Sequence, residues 1–440
     1  MEILIKASQL ILSLSILVII HELGHYLAAR LFKVRVEKFY LFFNLWFSLF
    51  KFKKGDTEYG VGWLPLGGYV KIAGMIDESM DKEQMKQPPK PHEFRSKPAW
   101  QRLIIMVGGV VFNLFLATFI YIIILSSHGE EYLPPQNLKY GIVAEPLGVE
   151  IGLQTGDNIL ELDGKKVYCF LDIRKDLLLG STMTITIERN GEQMLINIPE
   201  GFQGKLLTAK GQGFASPRFP FIVEGFVATS AAKDAGVLPG DHVVGIDGME
   251  TWSFDEFRAK IAEYKNQETT LMVKRNGEVL ELPISIPEEG VIGATVQPLS
   301  KLLKFERRKY SIIAAIPAGV AKVFTSTVDY VRQFGLLFKK EVKVSENLGG
   351  FITIGSFFPA SWDWLHFWTF TAFLSVVLAF MNILPIPALD GGHVMFLLYE
   401  MITRRKPNEK FMEYAQIAGM IILLSLLLFV NFNDIMRLFK

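Results

Sequence analysis

Four stretches of the chain are apolar for long enough to cross a bilayer, which takes about 20 residues. They run from Ile3 to Ala29, from Leu103 to Leu125, from about Trp364 to Leu389, and from about Ala415 to Val430. The second carries no charge. The first is interrupted by Lys6 near one end and by His21, Glu22 and His25 near the other. A further apolar run, Phe39 to Phe50, is too short to span and predicts a strand or a piece lying in the interface. Between the second and third spans the pattern changes to short alternating strands and turns. "GLQTGDNILELDGKKV" from Gly152 returns as "GVLPGDHVVGIDGMET" from Gly236, and "ERNGEQMLINIP" returns as "KRNGEVLELPIS", at offsets of 84 and 86 residues. Each copy reads as a turn, an alternating strand, an Asp-Gly turn, a short helix and a hairpin with an Asn-Gly turn. The region therefore holds two copies of one small α+β domain. Ser311 to Lys340 returns to helical spacing but carries Lys322, Asp329 and Arg332. It predicts helices on the outer membrane surface, or a helix packed on the second repeat.

Composition agrees with a membrane protein that has a substantial soluble part: half of the 440 residues are apolar, and mean hydropathy is +0.28. The net charge of +1 gives no reason to expect a nucleic-acid partner. A single cysteine, Cys169, excludes an internal disulfide and a zinc site built on thiolates. No cleavage site follows the first apolar run, so it is expected to be retained as a span. Residues 30–102 hold 14 Lys and Arg against 8 Asp and Glu, and the turn after the third span holds Arg404, Arg405, Lys406 and Lys410. Both flanks are expected on the cytoplasmic side, with the repeats outside. The first span then brings "HELGH" toward its cytoplasmic end. The third span brings "NILPIPALDGGH" to a similar depth on the same side.

Ionisable groups are costly in lipid and mark function there. On a helix, His21 and His25 stand one turn apart on one face and can bind one metal. Glu22 beside them can hold a water on that metal and take its proton as general base. Gly24 leaves a side of the helix open to a close neighbour. A catalytic zinc needs a third protein ligand. Asp390 is the leading candidate, because it sits in an apolar segment at matching depth, with Pro385 and Pro387 before it and Gly391 and Gly392 after it. His393 is the next candidate, as a ligand or as a group supporting one. His92 lies in a polar loop, and His128, His242 and His366 fall on the outer side. Asn382 can donate to a developing oxyanion or make a hydrogen bond between helices; position alone leaves both open.

"HELGH" in the first span, "NILPIPALDGG" in the third and two repeats between them resemble the site-2 protease family of intramembrane zinc metalloproteases, and in particular its bacterial sigma-E-regulating branch. The repeats themselves, through "GLQTGDNILELDG" and "AGVLPGDHVVGIDG", resemble bacterial PDZ domains, which take extended peptides onto a sheet edge. "GWLPLGGYVKIAG", Gly62 to Gly74, resembles the family's membrane-associated β-hairpin. "GGVVFNLFLA", Gly108 to Ala117, resembles its second-span motif without the usual proline, Val110 standing there instead.

The resemblance implies His21, His25 and Asp390 as ligands of one Zn2+, Glu22 as the base, and Asn382 as a residue assisting substrate or oxyanion. It implies that Gly67, Gly68 and Tyr69 pair with an unwound substrate strand, where the residues alone would also allow a buttressing hairpin. The partners implied are single-pass membrane proteins, namely anti-sigma factors after a first cut and remnant signal peptides, and the lipid bilayer. The place implied is the bacterial inner membrane.

The fold expected is a polytopic α-helical membrane protein with four transmembrane helices, a membrane-associated β-hairpin and two tandem PDZ-like α+β domains outside the membrane. Its expected parts are a first span at 1–29, a cytoplasmic loop at 30–102, a second span at 103–126, repeats at 127–219 and 220–298, surface helices at 299–362, a third span at 363–398, and a turn with the fourth span at 399–440. The alternative is a catalytically inactive membrane-anchored PDZ scaffold, which an altered metal-binding residue would have indicated. A transporter would show repeated halves in its membrane region, and the sequence has none.

Overall fold

The long apolar stretches fold as helices because every backbone group is then satisfied within the segment. They are α1 (Glu2–Leu31), α2 (Ala99–Ser127), α3 (Ile312–Leu336), α4 (Trp364–Ile383), α5 (Asp390–Thr403) and α6 (Glu409–Leu438). The structure is a computed structural model that describes residues 1–65, 67–75, 88–180, 182–208, 213–339, 342 and 348–439. The chain forms two compact units, residues 1–129 with 309–440, and residues 130–308.

In the first unit, α1, α3 and α4 all pack along α2. One difference from the sequence reading arises here. The third apolar stretch is not one helix: α4 ends at Ile383, residues 384–389 form a turn with Ala388 at φ +79°, and α5 begins at Asp390. Pro385 and Pro387 supply no amide donor to continue α4. Gly391 and Gly392 let the first turn of α5 lie against the Ile383–Pro387 backbone, where any Cβ would collide.

The helix α3 packs along α2. Ala315 and Gly319 form a small-residue strip whose backbone approaches Thr118 and Ile122 of α2. Val323 joins Ala117, Ile120, Tyr121, Ala372 and Val376 in one core cluster. Among the described residues, five helices, α3 included, are long and apolar enough to cross a membrane.

Between α1 and α2 lies a four-stranded sheet of β1 (Val36–Leu41), β2 (Phe43–Lys54), β3 (Thr57–Leu64) and β4 (Tyr69–Ile72). Its order is β2-β3-β1-β4. The expected hairpin over 62–74 is corrected: β3 pairs with β2 and runs parallel to β1, whereas β4 pairs antiparallel with β1, Phe39 opposite Val70. Leu66 of that stretch lies outside the described residues. Phe39 to Phe50 is extended, as one of the two sequence readings held, but divides between β1 and β2 at Phe42, whose φ is +67°. β4 is an edge strand and runs beside α1.

The second unit has two hydrophobic cores, one centred on Ile142, Ile159, Ile185 and Ile187, the other on Val223, Val243, Leu271 and Val273. The repeat is visible down to single bonds. Arg189 grips Asp157 through Nε and Nη2 at 2.7 and 2.8 Å and donates to the Gly152 carbonyl at 2.9 Å. Arg275 does the same to Asp241 at 2.8 and 2.6 Å and to the Gly236 carbonyl at 2.8 Å. Each aspartate also accepts from a backbone N–H, of Gln154 or Leu238, at 2.8 Å. Residues 299–308, expected among surface helices, belong to this unit. Leu303 is in the first core, and Glu306–Arg308 pairs with Glu130–Tyr132.

Candidate metal centre and substrate cleft

α1 carries His21 and His25 on its buried side, facing α2 and the start of α5. Their Nε2 atoms are 3.3 Å apart, and Asp390 Oδ2 lies 3.1 Å from the first and 3.2 Å from the second. Two zinc bonds of about 2.05 Å at a tetrahedral angle hold their ligand atoms about 3.3 Å apart, so the spacing of all three fits a single ion. Asp390 Oδ2 is buried yet accepts no hydrogen bond, despite two ring nitrogens within 3.2 Å. Among the described residues this is the one His/Cys/Asp/Glu cluster with such geometry.

The close approach of α1 to α2 makes this arrangement possible. Gly24, expected to leave room for a neighbour, lies against the Gly108 carbonyl. A Cβ on Gly109 would fall 2.5 Å from His25 Nε2 and 2.6 Å from His21 Cε1. His25 Nδ1 is 2.9 Å from the Ile105 carbonyl, which accepts its proton and leaves Nε2 as the free lone pair. In the sequence Gly108 and Gly109 stood only within the stretch resembling the family's second-span motif, with no chemical role assigned to them.

The cluster opens into a cleft of about 390 Å³, lined by His21, Glu22, His25 and Asp390 on one side and by Gly68 to Ile72 on the other. Val70 lines the cleft with Glu22. Gly68 packs so closely on Val18 that a Cβ would collide. Tyr69 is held by a 2.9 Å hydrogen bond to Asn44 Oδ1 and stacks between Tyr40 and Phe43. Gly67 does not line the cleft. Asn382 Nδ2 is 3.4 Å from His21 Nε2, at the edge of the cluster. His393 lines the cleft, with its Nε2 3.5 Å from Gln416 Nε2, and the ligand atoms that lie together are those of His21, His25 and Asp390.

A sequence model of peptidase family M50 matches residues 9–426, nearly the whole chain. The chain belongs to this family, the site-2 proteases, and is an intramembrane zinc metalloprotease. It is 29% identical over 458 residues to the regulator of sigma-E protease RseP of Escherichia coli, with 98% of each chain covered. It is 27% identical over 462 residues to the regulator of sigma E protease of Haemophilus influenzae, each chain covered in full. A Campylobacter jejuni protein described as a zinc metalloprotease is 32% identical over 442 residues, covering 97% of this chain and 92% of its own.

Proposed function

We propose that His21, His25 and Asp390 hold the catalytic zinc, that Glu22 is the general base, and that the substrate is the unwound segment of a single-pass membrane protein. The observation that carries this reading is the meeting of His21 Nε2, His25 Nε2 and Asp390 Oδ2 within 3.3 Å of one another, beside Glu22 and an edge strand. When bound, zinc supplies Lewis acidity, lowering the pKa of a coordinated water to about 7. Glu22 takes the proton of the attacking water and delivers it to the leaving amine. Asn382, at the rim of the cluster, donates its amide N–H to the oxygen on which charge develops.

A membrane helix hides its peptide bonds in internal hydrogen bonds, so it must open before attack. β4 offers the bonds that replace them. Its Tyr69 to Ile72 backbone lies along the cleft, with Gly68 at its head, and the substrate adds as a neighbouring strand. Gly67 contributes to this by setting the turn into β4, not by touching substrate.

In this reading the chain crosses the inner membrane of a bacterium four times, through α1, α2, the α4–α5 pair and α6. The zinc lies near the cytoplasmic face and the two repeats lie outside as PDZ-like domains. The substrates are anti-sigma factors after a first cut and remnant signal peptides, and the work is regulated intramembrane proteolysis. The repeats exclude substrates whose outer part is still large. Zinc content tests the ligand set: His21→Ala and Asp390→Ala each lose the stoichiometric zinc held by wild type. Retention of one tightly held zinc by the Asp390→Ala protein would remove Asp390 from the site.

A further inference from the structure

One buried side chain touches His21 from the side away from Asp390. Asn113 of α2 has no exposed surface, and its Nδ2 lies 3.2 Å from His21 Nδ1. Its Oδ1 is buried without a hydrogen-bond partner. Its backbone is fixed: Ser375 Oγ of α4 donates to the Asn113 carbonyl at 2.8 Å. An amide nitrogen has no lone pair to offer. If it faces Nδ1, the ring must accept there and carry its proton on Nε2. That is the nitrogen 3.1 Å from Asp390 Oδ2, and protonated it cannot bind a metal.

The two ends of an amide are told apart only by their hydrogen bonds. Turned by half a rotation, the same carboxamide puts its oxygen on Nδ1, accepts the Nδ1 proton and frees the Nε2 lone pair. For His25 the backbone already does this through the Ile105 carbonyl at 2.9 Å. For His21, Asn113 is the group within reach of Nδ1.

We infer that Asn113 is a positioning residue: its side-chain oxygen accepts the Nδ1 proton of His21 and so selects the ring tautomer that ligates zinc. The inference rests on the reading of His21 as a ligand. The test measures zinc affinity of the full chain in detergent by competition with a chromophoric chelator, for wild type, Asn113→Leu, Asn113→Ala and Asn113→Asp. Leu fills the same space without an acceptor, Ala removes the acceptor without adding bulk, and Asp keeps it. Leu and Ala weaken zinc about 10–100-fold, the usual effect of losing a group that orients a ligand, and Asp stays within a few-fold of wild type. NMR of histidine-15N-labelled, zinc-loaded wild type shows His21 protonated on Nδ1. Wild-type affinity in Leu or Ala, equal loss in Asp and Leu, or a proton on Nε2 in the zinc-loaded protein overturns the inference. A wild type that binds no zinc at all overturns the ligand assignment itself, and that is visible before any variant is compared.

Discussion

Glu22 sits one residue from His21 and lines the cleft, outside the His21–His25–Asp390 ligand group. Glu22→Gln keeps the shape and removes the base. Cleavage is expected to fall about 10²–10⁴-fold, the usual contribution of a general base, with the zinc content unchanged when both are assayed on one preparation. Gly109 is the second residue on which the site depends. Gly109→Ala pushes a methyl into both imidazoles, and overpacking of this kind costs about 1–3 kcal/mol. Zinc competition should show weaker binding by about tenfold or more, and an unchanged affinity would mean that α2 yields more easily than its packing implies. His21, Glu22, His25 and Asp390 were readable because charge in an apolar run is expensive and therefore informative. Gly109 and Asn113 were visible only inside the stretch resembling the family's second-span motif, and their own chemistry gave them no role, since an amide or a glycine in a span is common for packing reasons alone. Gly24 pointed to a close neighbour for α1 but did not say which helix it is.

At the scale of elements, the sequence read the turns and repeats well and the pairing of strands less well. Both Asn-Gly turns adopt positive φ at each residue, +54° and +84° at Asn190 and Gly191, +52° and +93° at Asn276 and Gly277, as a two-residue hairpin loop requires. The sheet near the site was misread as a hairpin because pairing is not local. β3 takes the place beside β1 since Gly60 leaves space for the Tyr40 ring, whose hydroxyl then bonds Glu58 at 2.7 Å. The packing of α3 along α2 was not legible, because Lys322, Asp329 and Arg332 outweighed its small residues in the pattern. The repeated Asp–Arg pair makes a prediction here. The Arg275 guanidinium holds the Asp241 carboxyl below the usual carboxylate range. A carboxyl with a lowered folded-state pKa stabilises fully above its unfolded value of about 4, and loses that contribution as pH falls through the folded value. Asp241→Asn should therefore reduce protection of the second repeat by about 2 kcal/mol at neutral pH, read by hydrogen exchange on the full chain. The difference from wild type should shrink on acidification below pH 4.

In the whole molecule, helices far apart in sequence bring together one metal-binding cluster, and an edge strand lines the same cleft. Removing zinc with a strong chelator should abolish cleavage, and adding back one equivalent should restore it, while magnesium, a hard ion that prefers oxygen ligands, should not. The most direct test of the central claim uses the full chain in lipid vesicles with a single-span model substrate, comparing wild type and Glu22→Gln, each shown to hold one zinc per chain. Wild type is expected to cut within or beside the span, and the variant to leave it intact. Equal cleavage by both, or a zinc-loaded wild type that cuts no span, would contradict the account.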